Sequence, residues 1–433
     1  MSSFIDAAEF GFSPEAEPLK NTAALQRAVD QRGTIIVTRP GIYETGGTVY
    51  IGSDTTLQFG NGVALKKVDA QGPFSHVLLN KGALTKTYDR NIVIEGLQII
   101  VNGIDKIHSE VYGLRGQLAF FYIKDLRIER FRCHDLEKMQ FGIHVCTFED
   151  IIVNDVVIEG DKDGVHLGRG KRFTISNGIF RTYDDAVALN AQDFSTSNPE
   201  LGWIENGLVQ NCYDLPDGKD PIGFFCRILA GGWKDWESGM EVQQSDTVIS
   251  DGRLYRVQAQ PDGTVYKSAT KPTHETGQKE LDGINWGMVQ EDIIYTAGVR
   301  NVIFRDIYQE KPRISFSVRL VTGRFNRSYY PGAQAPLQRQ LRFDNVRVLH
   351  GSPVPLLECS SPVDAISIIN SSIADNRIIF NRNSELVNYG ETSVNITGCV
   401  FNVLPPEEII DNLIEEKIIH VQKMANTFIR NSA

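Results

Sequence analysis

Asp163, Asp184 and Asp185 are the residues of this 433-residue chain whose type and spacing best suit acid–base chemistry. Phe141-Gly-Ile-His-Val145, Asp163-Gly-Val-His-Leu167 and Asp185-Ala-Val-Ala-Leu189 align without gaps at intervals of 22 residues. In a chain that coils with that period, the three segments lie directly above one another. Ile143, Val165 and Val187 then form an inward column, while His144, His166 and Ala188 form an outward one. Asp163 lies over Asp185, with Asp184 beside it. Like charges brought this near raise at least one carboxyl pKa, which supplies a general acid that is still protonated near neutrality. An acid and a base held around a bond meet the needs of glycoside hydrolysis. A separation of about 6.5–9.5 Å suits inversion through water, and about 5–5.5 Å suits a covalent intermediate. Taken singly, Asp163-Gly164 reads as a turn and Asp184-Asp185 as a solvated corner. Their shared register is what makes them a candidate site.

The elements that must position these side chains repeat. From residue 90 a polar residue, alternating apolar positions and then Asn, Asp or Gly recur, as in Asn91-Ile-Val-Ile-Glu-Gly96, Asp150-Ile-Ile-Val-Asn-Asp155 and Arg172-Phe-Thr-Ile-Ser-Asn177. Anchoring the copies on Ile94, Ile128, Val153, Ile175, Ile204, Phe304, Phe343, Ile368 and Ile396 gives steps mostly of 22 to 34 residues, with one of 39 and one gap of 100. That is the spacing of a solenoid of short strands. With no helices between them, such strands cannot make an open parallel sheet, where each neighbour needs a long crossover. The expected fold is all-β, a single-stranded right-handed parallel β-helix spanning residues 1–237 and 292–404; a β-sandwich is the alternative.

Three segments stand outside the repeat. Asn21 to Gln31, with a polar cap residue and Gly33 beyond its end, predicts an N-terminal capping helix. Residues 238–291 fill the long gap and read as an inserted β module, with a hairpin through Asp251-Gly252 and a small core of Tyr255 and Trp286. Pro405-Pro-Glu-Glu, followed by Ile410, Leu413, Ile414, Lys417, Val421, Met424 and Phe428 at helical spacing, predicts a C-terminal helix within 405–433 that covers the last coil or packs on a second subunit.

Composition narrows the function. A net charge of −10 argues against nucleic acid and anionic membranes as partners. Six dispersed cysteines without a CxxC pair suggest buried thiols rather than a zinc site or a disulfide framework. No basic start with an apolar run is present and no segment is apolar enough to span a membrane, which predicts a cytoplasmic protein or one exported, or carried on a virion, by another route.

The N-terminal helix, strand and Pro40-Gly-Ile-Tyr43 turn resemble the opening of the pectin-lyase-like β-helix superfamily, and residues 118–195 resemble the polygalacturonases of glycoside hydrolase family 28. That family carries Asn-Thr-Asp-Gly and, one coil later, Gly-Asp-Asp; the matching positions here are Asp161-Lys-Asp-Gly164 and Tyr183-Asp-Asp185. The resemblance implies an inverting mechanism without metal or cofactor, in which Asp184 donates the proton and Asp163 and Asp185 activate water. It places His166 toward the sugar cleft. Two family features depart: Phe225 stands where a histidine is expected, and Ser317-Val-Arg319 keeps one cation of an Arg-Ile-Lys motif. The insertion also resembles, over a short stretch, modules of bacteriophage tail proteins.

Candidate substrate-binding residues are therefore His144, His166, Asp161, Arg227 and Arg319, with Trp233, Lys234 and Trp236, or Tyr329-Tyr330, as a sugar-stacking wall. Arg227, which continues the outward column, suits bidentate contact with a carboxylate. The expected activity is hydrolysis of a pectin-like or other acidic polysaccharide or oligosaccharide. A lyase holding Ca²⁺ on Asp161, Asp163, Asp184 and Asp185, and a non-catalytic, trimeric tail-spike-like adhesin, stay open as alternatives.

Overall fold

The computed structural model describes residues 4–108, 110–260, 262–374, 377–402 and 408–429. Short strands join into one 29-stranded, parallel sheet in which each strand pairs with its counterpart one coil away, so the chain winds as a parallel β-helix. The apolar core runs along its axis from Ala7 to Ile414.

The repeated sequence pattern has a backbone cause. Its first and last residues sit at the corners of the coil in the left-handed conformation: Asn91 and Gly96, Asp125 and Arg130, Asp150 and Asp155, Arg172 and Asn177, Asn301 and Asp306, Gln340 and Asn345 all have φ between 51° and 73°. Asn, Asp and Gly tolerate that region best, which is why they punctuate the pattern. Between two corners, the middle apolar residue points inward.

The same rule corrects one copy. The left-handed pair in the fifth copy is Asn206 (φ 58°) and Asn211 (φ 51°), so the residue in register with Ile175 and Phe304 is Val209; Ile204 pairs instead with Gly170 and Val299 at the start of its strand. Asn206 opens a repeat rather than closing one.

The helix Pro18–Val29 begins at a proline that suits a first turn and buries Asn21, Ala24, Leu25, Ala28 and Val29. Asn21, expected as its cap, lies inside the helix and binds the backbone of Ser13, Ala16 and Glu44. All six cysteines are buried and unpaired.

The expected C-terminal helix is not formed. Pro405, Pro406 and Glu407 lie outside the described residues, and the chain beyond them makes strands Ile410–Asn412, Ile418–Met424 and Thr427–Ile429, each paired in parallel with the preceding coil. Over so short a stretch, an apolar spacing of three to four residues does not separate helix from coil. The β-branched Ile418, Ile419 and Val421 favour strand, and only a strand satisfies the free N–H and C=O groups of Glu391–Thr397.

The inserted segment is a β module. Lys234–Asp235, Thr247–Ser250, Arg253–Val257, Ile284–Gln290 and Gln278–Leu281 form a five-stranded sheet, with the Asp251-Gly252 hairpin as expected (φ 49° and 74°). Tyr255 and Trp286 are fully buried in its core with Val248, Val257 and Ile284.

Candidate active site

The 22-residue register is realised. Ile143 pairs with Val165 and Val165 with Val187, and the column continues to Cys226 and Phe316; its outward neighbour runs His144, His166, Ala188, Arg227, Ser317. The turns before these strands stack by backbone bonds: Gly142 N–H donates to Asp163 O, Gly164 N–H to Asp185 O and Ala186 N–H to Phe224 O, at 2.9–3.0 Å. Gly223 is required by close approach, since a Cβ there would lie 1.9 Å from the Asp184 carbonyl carbon. Beneath the turn, Lys311 Nζ donates to the carbonyls of Thr182 (3.2 Å) and Asp184 (3.1 Å) while pairing with buried Asp214 at 3.2 Å.

The result is a compact trio. Asp163, Asp184 and Asp185 each offer an oxygen within 4.8 Å of the others. Asp184 and Asp185 line a cleft of about 450 Å³ and Asp163 lies fully buried behind them. Asp184 pairs with Lys162, whose Nζ is also 3.9 Å from Asp163. Asp185 accepts the Phe224 N–H at 2.9 Å, and its other oxygen is 3.0 Å from Arg227 Nε, close enough for charge attraction but off line for a hydrogen bond. Asp163 Oδ2 meets His166 Nδ1 at 2.9 Å and its Oδ1 has no hydrogen-bond partner, only the charge of Lys162 at 3.9 Å. His166 Nε2 faces Asp193 at 3.7 Å, and Asp193 also lies 3.6 Å from Arg227.

These surroundings push the carboxyls apart. Burial, reinforced by the neighbouring charge of Asp184, lifts Asp163 to about 7. Burial likewise lifts Asp185 to about 7, against the pull of Arg227. Asp184 is also desolvated, but Lys162 and Arg227 outweigh that and hold it below the usual carboxylate range. Burial drives His166 down to about 3, so its ring is neutral. His144 is neutral too, with burial the main cause: its Nδ1 accepts the Arg115 N–H at 3.1 Å and its Nε2 donates to Asn198 Oδ1 at 3.2 Å.

Of the residues expected from sequence, Asp184, Asp185, Arg227 and Arg319 meet at the cleft, and Asp163 and His166 support it from behind. Four expectations are corrected. His144 and His166 project outward from the coil yet are buried, not open to a ligand, because residues 191–201 fold over them and His166 stacks on Phe141 with ring centroids 4.1 Å apart. Trp233 is 1% exposed and donates its indole N–H to Ile294 O, plugging the junction where Gly231–Gly232 pairs with Thr296–Ala297. Lys234 belongs to the module sheet and pairs with Glu237 at 3.0 Å, and Trp236, Tyr329 and Tyr330 pack into apolar cores instead of forming a wall. Asp161 is held by Lys219 outside the residues that line the cleft. Phe225, at the expected histidine position, points inward against Phe316, while Phe224 carries the guanidinium groups of Arg313 and Arg319 over its ring at 5.3 and 5.7 Å.

Sequence reasoning missed Lys162, although the register that sets Asp163 over Asp185 also sets Lys162 over Asp184. It missed Arg115, Arg313 and Asp193 as well; these come from other turns and loops, and no spacing announces them. Arg115, Lys138, Lys162, Arg227, Arg313 and Arg319 make the cleft strongly basic in a chain of net charge −10.

The class defined by these stacked coils is a parallel β-helix. No family model matches the sequence, and no curated protein matches it. Among solved structures, the family 28 exopolygalacturonase of Yersinia enterocolitica is 13% identical over 99% of this chain and 78% of that one, with a TM-score of 0.48. The mannuronan C-5 epimerase AlgE4 A-module of Azotobacter vinelandii is 12% identical over the whole of both chains, at 0.46. PfbA, a surface adhesin of Streptococcus pneumoniae, is 12% identical over 99% and 93%, also at 0.46. A hydrolase, an epimerase and an adhesin share this likeness, so it assigns no reaction.

Proposed function

We propose that the protein is a glycoside hydrolase acting on an acidic polysaccharide or oligosaccharide. The observation that carries this reading is the trio of carboxyls within 4.8 Å whose environments differ: Asp184 ionised beside Lys162, Asp163 and Asp185 raised to about 7. A pair of groups pushed to opposite protonation states is what acid–base cleavage requires.

The family resemblance gives the proton to Asp184. The ion pair with Lys162 argues for a different division of roles. Asp185, on the cleft wall and raised, is the acid that protonates the leaving oxygen; Asp184, ionised on the same wall, is the base or nucleophile; Asp163, buried behind them and itself raised to about 7, keeps a proton close to the pair. Arg313 and Arg319, stacked on Phe224, are placed to hold a substrate carboxylate, with Arg227 tied up by Asp185 and Asp193. Lys162 and Arg227 already supply the positive charge that a divalent ion would bring to this site.

Incubation with a panel of uronate-containing and neutral oligosaccharides, read by mass, tests the reading. New reducing ends with the mass of added water are expected, from uronate substrates and unaffected by a chelator. Unsaturated ultraviolet-absorbing ends lost on chelation would assign a lyase instead, and tight binding without turnover would assign an adhesin. The anomer formed first, read by NMR, tells inversion from retention.

A further inference from the structure

Residues 191–201 cross from the strand Val187–Asn190 toward Ile204–Asp214 with no helix or strand of their own, yet all but Phe194 and Thr196 are buried. A buried loop must find partners for its backbone polar groups. The inserted module supplies them. Arg256, 1% exposed, donates through Nη2 to Ser195 O (3.0 Å) and Asn198 O (2.6 Å). Ser245 Oγ accepts the Ser195 N–H at 2.9 Å, and Gln290 Oε1 accepts the Leu201 N–H at 2.9 Å. The module is in turn anchored to the coil on its other side, where Arg327 pairs with Asp246 and Ser245 Oγ donates to Phe325 O at 3.2 Å.

The far side of the same loop holds the site. Asp193 faces both His166 and Arg227; Asn198 accepts from His144 and donates to Asn190 O at 2.7 Å; Ser197 Oγ accepts from Arg115 at 2.8 Å. Phe194, Thr196 and Ser197 form part of the cleft wall.

Building on the hydrolase reading, we infer that the inserted module is a positioning element for the site and that Arg256 is its principal positioning residue, holding residues 191–201 so that Asp193 orients Arg227 against Asp185. Arg256 touches neither the cleft nor the trio; it acts through the loop's backbone.

The test uses the full chain. In Arg256→Met, hydrogen exchange followed by mass spectrometry should speed up in residues 191–201 while the coil on either side stays protected. On the glycan that the oligosaccharide panel identifies, kcat should fall by about tenfold to a hundredfold with KM changed less, since misplacement of a catalytic group by about 1 Å has that effect. Arg256→Lys, which keeps a donor near the two carbonyls, should recover part of the loss. Should Arg256→Met not fold, Ser245→Ala removes one loop contact and should give the same local exchange in weaker form. Unchanged exchange in 191–201, or faster exchange spread evenly through the coil with kcat kept, would overturn the proposal. The exchange arm needs no turnover, so absence of hydrolysis by the unaltered protein would sink the hydrolase reading and leave the module's role decided separately.

Discussion

Two acidic pairs are stacked by register between successive coils, one at exposed left-handed corners and one at the cleft. Asp125 sits above Asp150 in the register that pairs Lys124 with Glu149 and Leu126 with Ile151; Asp163 sits above Asp185 in the register that pairs Val165 with Val187. The first pair is exposed. Arg172 grips Asp150 through two bonds of 2.6 Å, and that contact holds Asp150 below the usual range. The second pair is buried under residues 191–201, and its members rise to about 7. Register brings like charges together in both places; only where a loop removes water does the meeting cost enough to hold a proton.

The largest expected break in this comparison is at the cleft. Asp184→Asn and Asp185→Asn should each lower kcat on the hydrolysed glycan by about 10²–10⁴-fold, whereas Asp125→Asn and Asp150→Asn should leave it within about twofold. Next comes Lys162→Met. Lys162 is what keeps Asp184 ionised, so its loss lets that carboxyl rise and should move the acidic limb of the kcat/KM profile to higher pH by about one unit or more. In the unaltered protein the alkaline limb should fall near pH 7, where Asp185 loses its proton.

A smaller effect lies in stability. Asp163 is raised in the folded state, so its contribution is present below the ordinary carboxyl pKa of about 4 and is lost as pH climbs through about 7. Asp163→Asn keeps the oxygen facing His166 and removes the buried charge. It should raise Tm at pH 8 by about a few degrees while reducing turnover, and the difference from the unaltered protein should vanish near pH 4. A Tm at pH 8 that falls would show the charge to be compensated. Smallest of all is Arg172→Ala: an exposed ion pair broken on the solvated face should change neither activity nor Tm measurably.

Much of the fold and of the trio was legible in particular residues. The three aligned segments at 141, 163 and 185 predicted the stack that the strand pairing realises, and Asp251-Gly252 predicted its hairpin. The copies failed where the local signal was shared by two readings. Asn206 suits either end of the pattern, and residues 410–428 space their apolar side chains as a helix would while forming three strands. Trp233 and Lys234 looked like a sugar wall because they come after the site in sequence; the chain had by then turned away into the module.

Sequence alone determined which side chains stack, because a coil of fixed period converts residue number into position, and corners that demand a left-handed backbone keep Asn, Asp and Gly in view. It determined the trio and, read fully, Lys162 over Asp184. Only the tertiary structure decided how those groups ionise. Burial by residues 191–201, the approach of Asp193 to Arg227, and the module's hold through Arg256 all depend on segments whose length varies from coil to coil. A pKa is set by everything within a few ångströms, and that neighbourhood is not periodic.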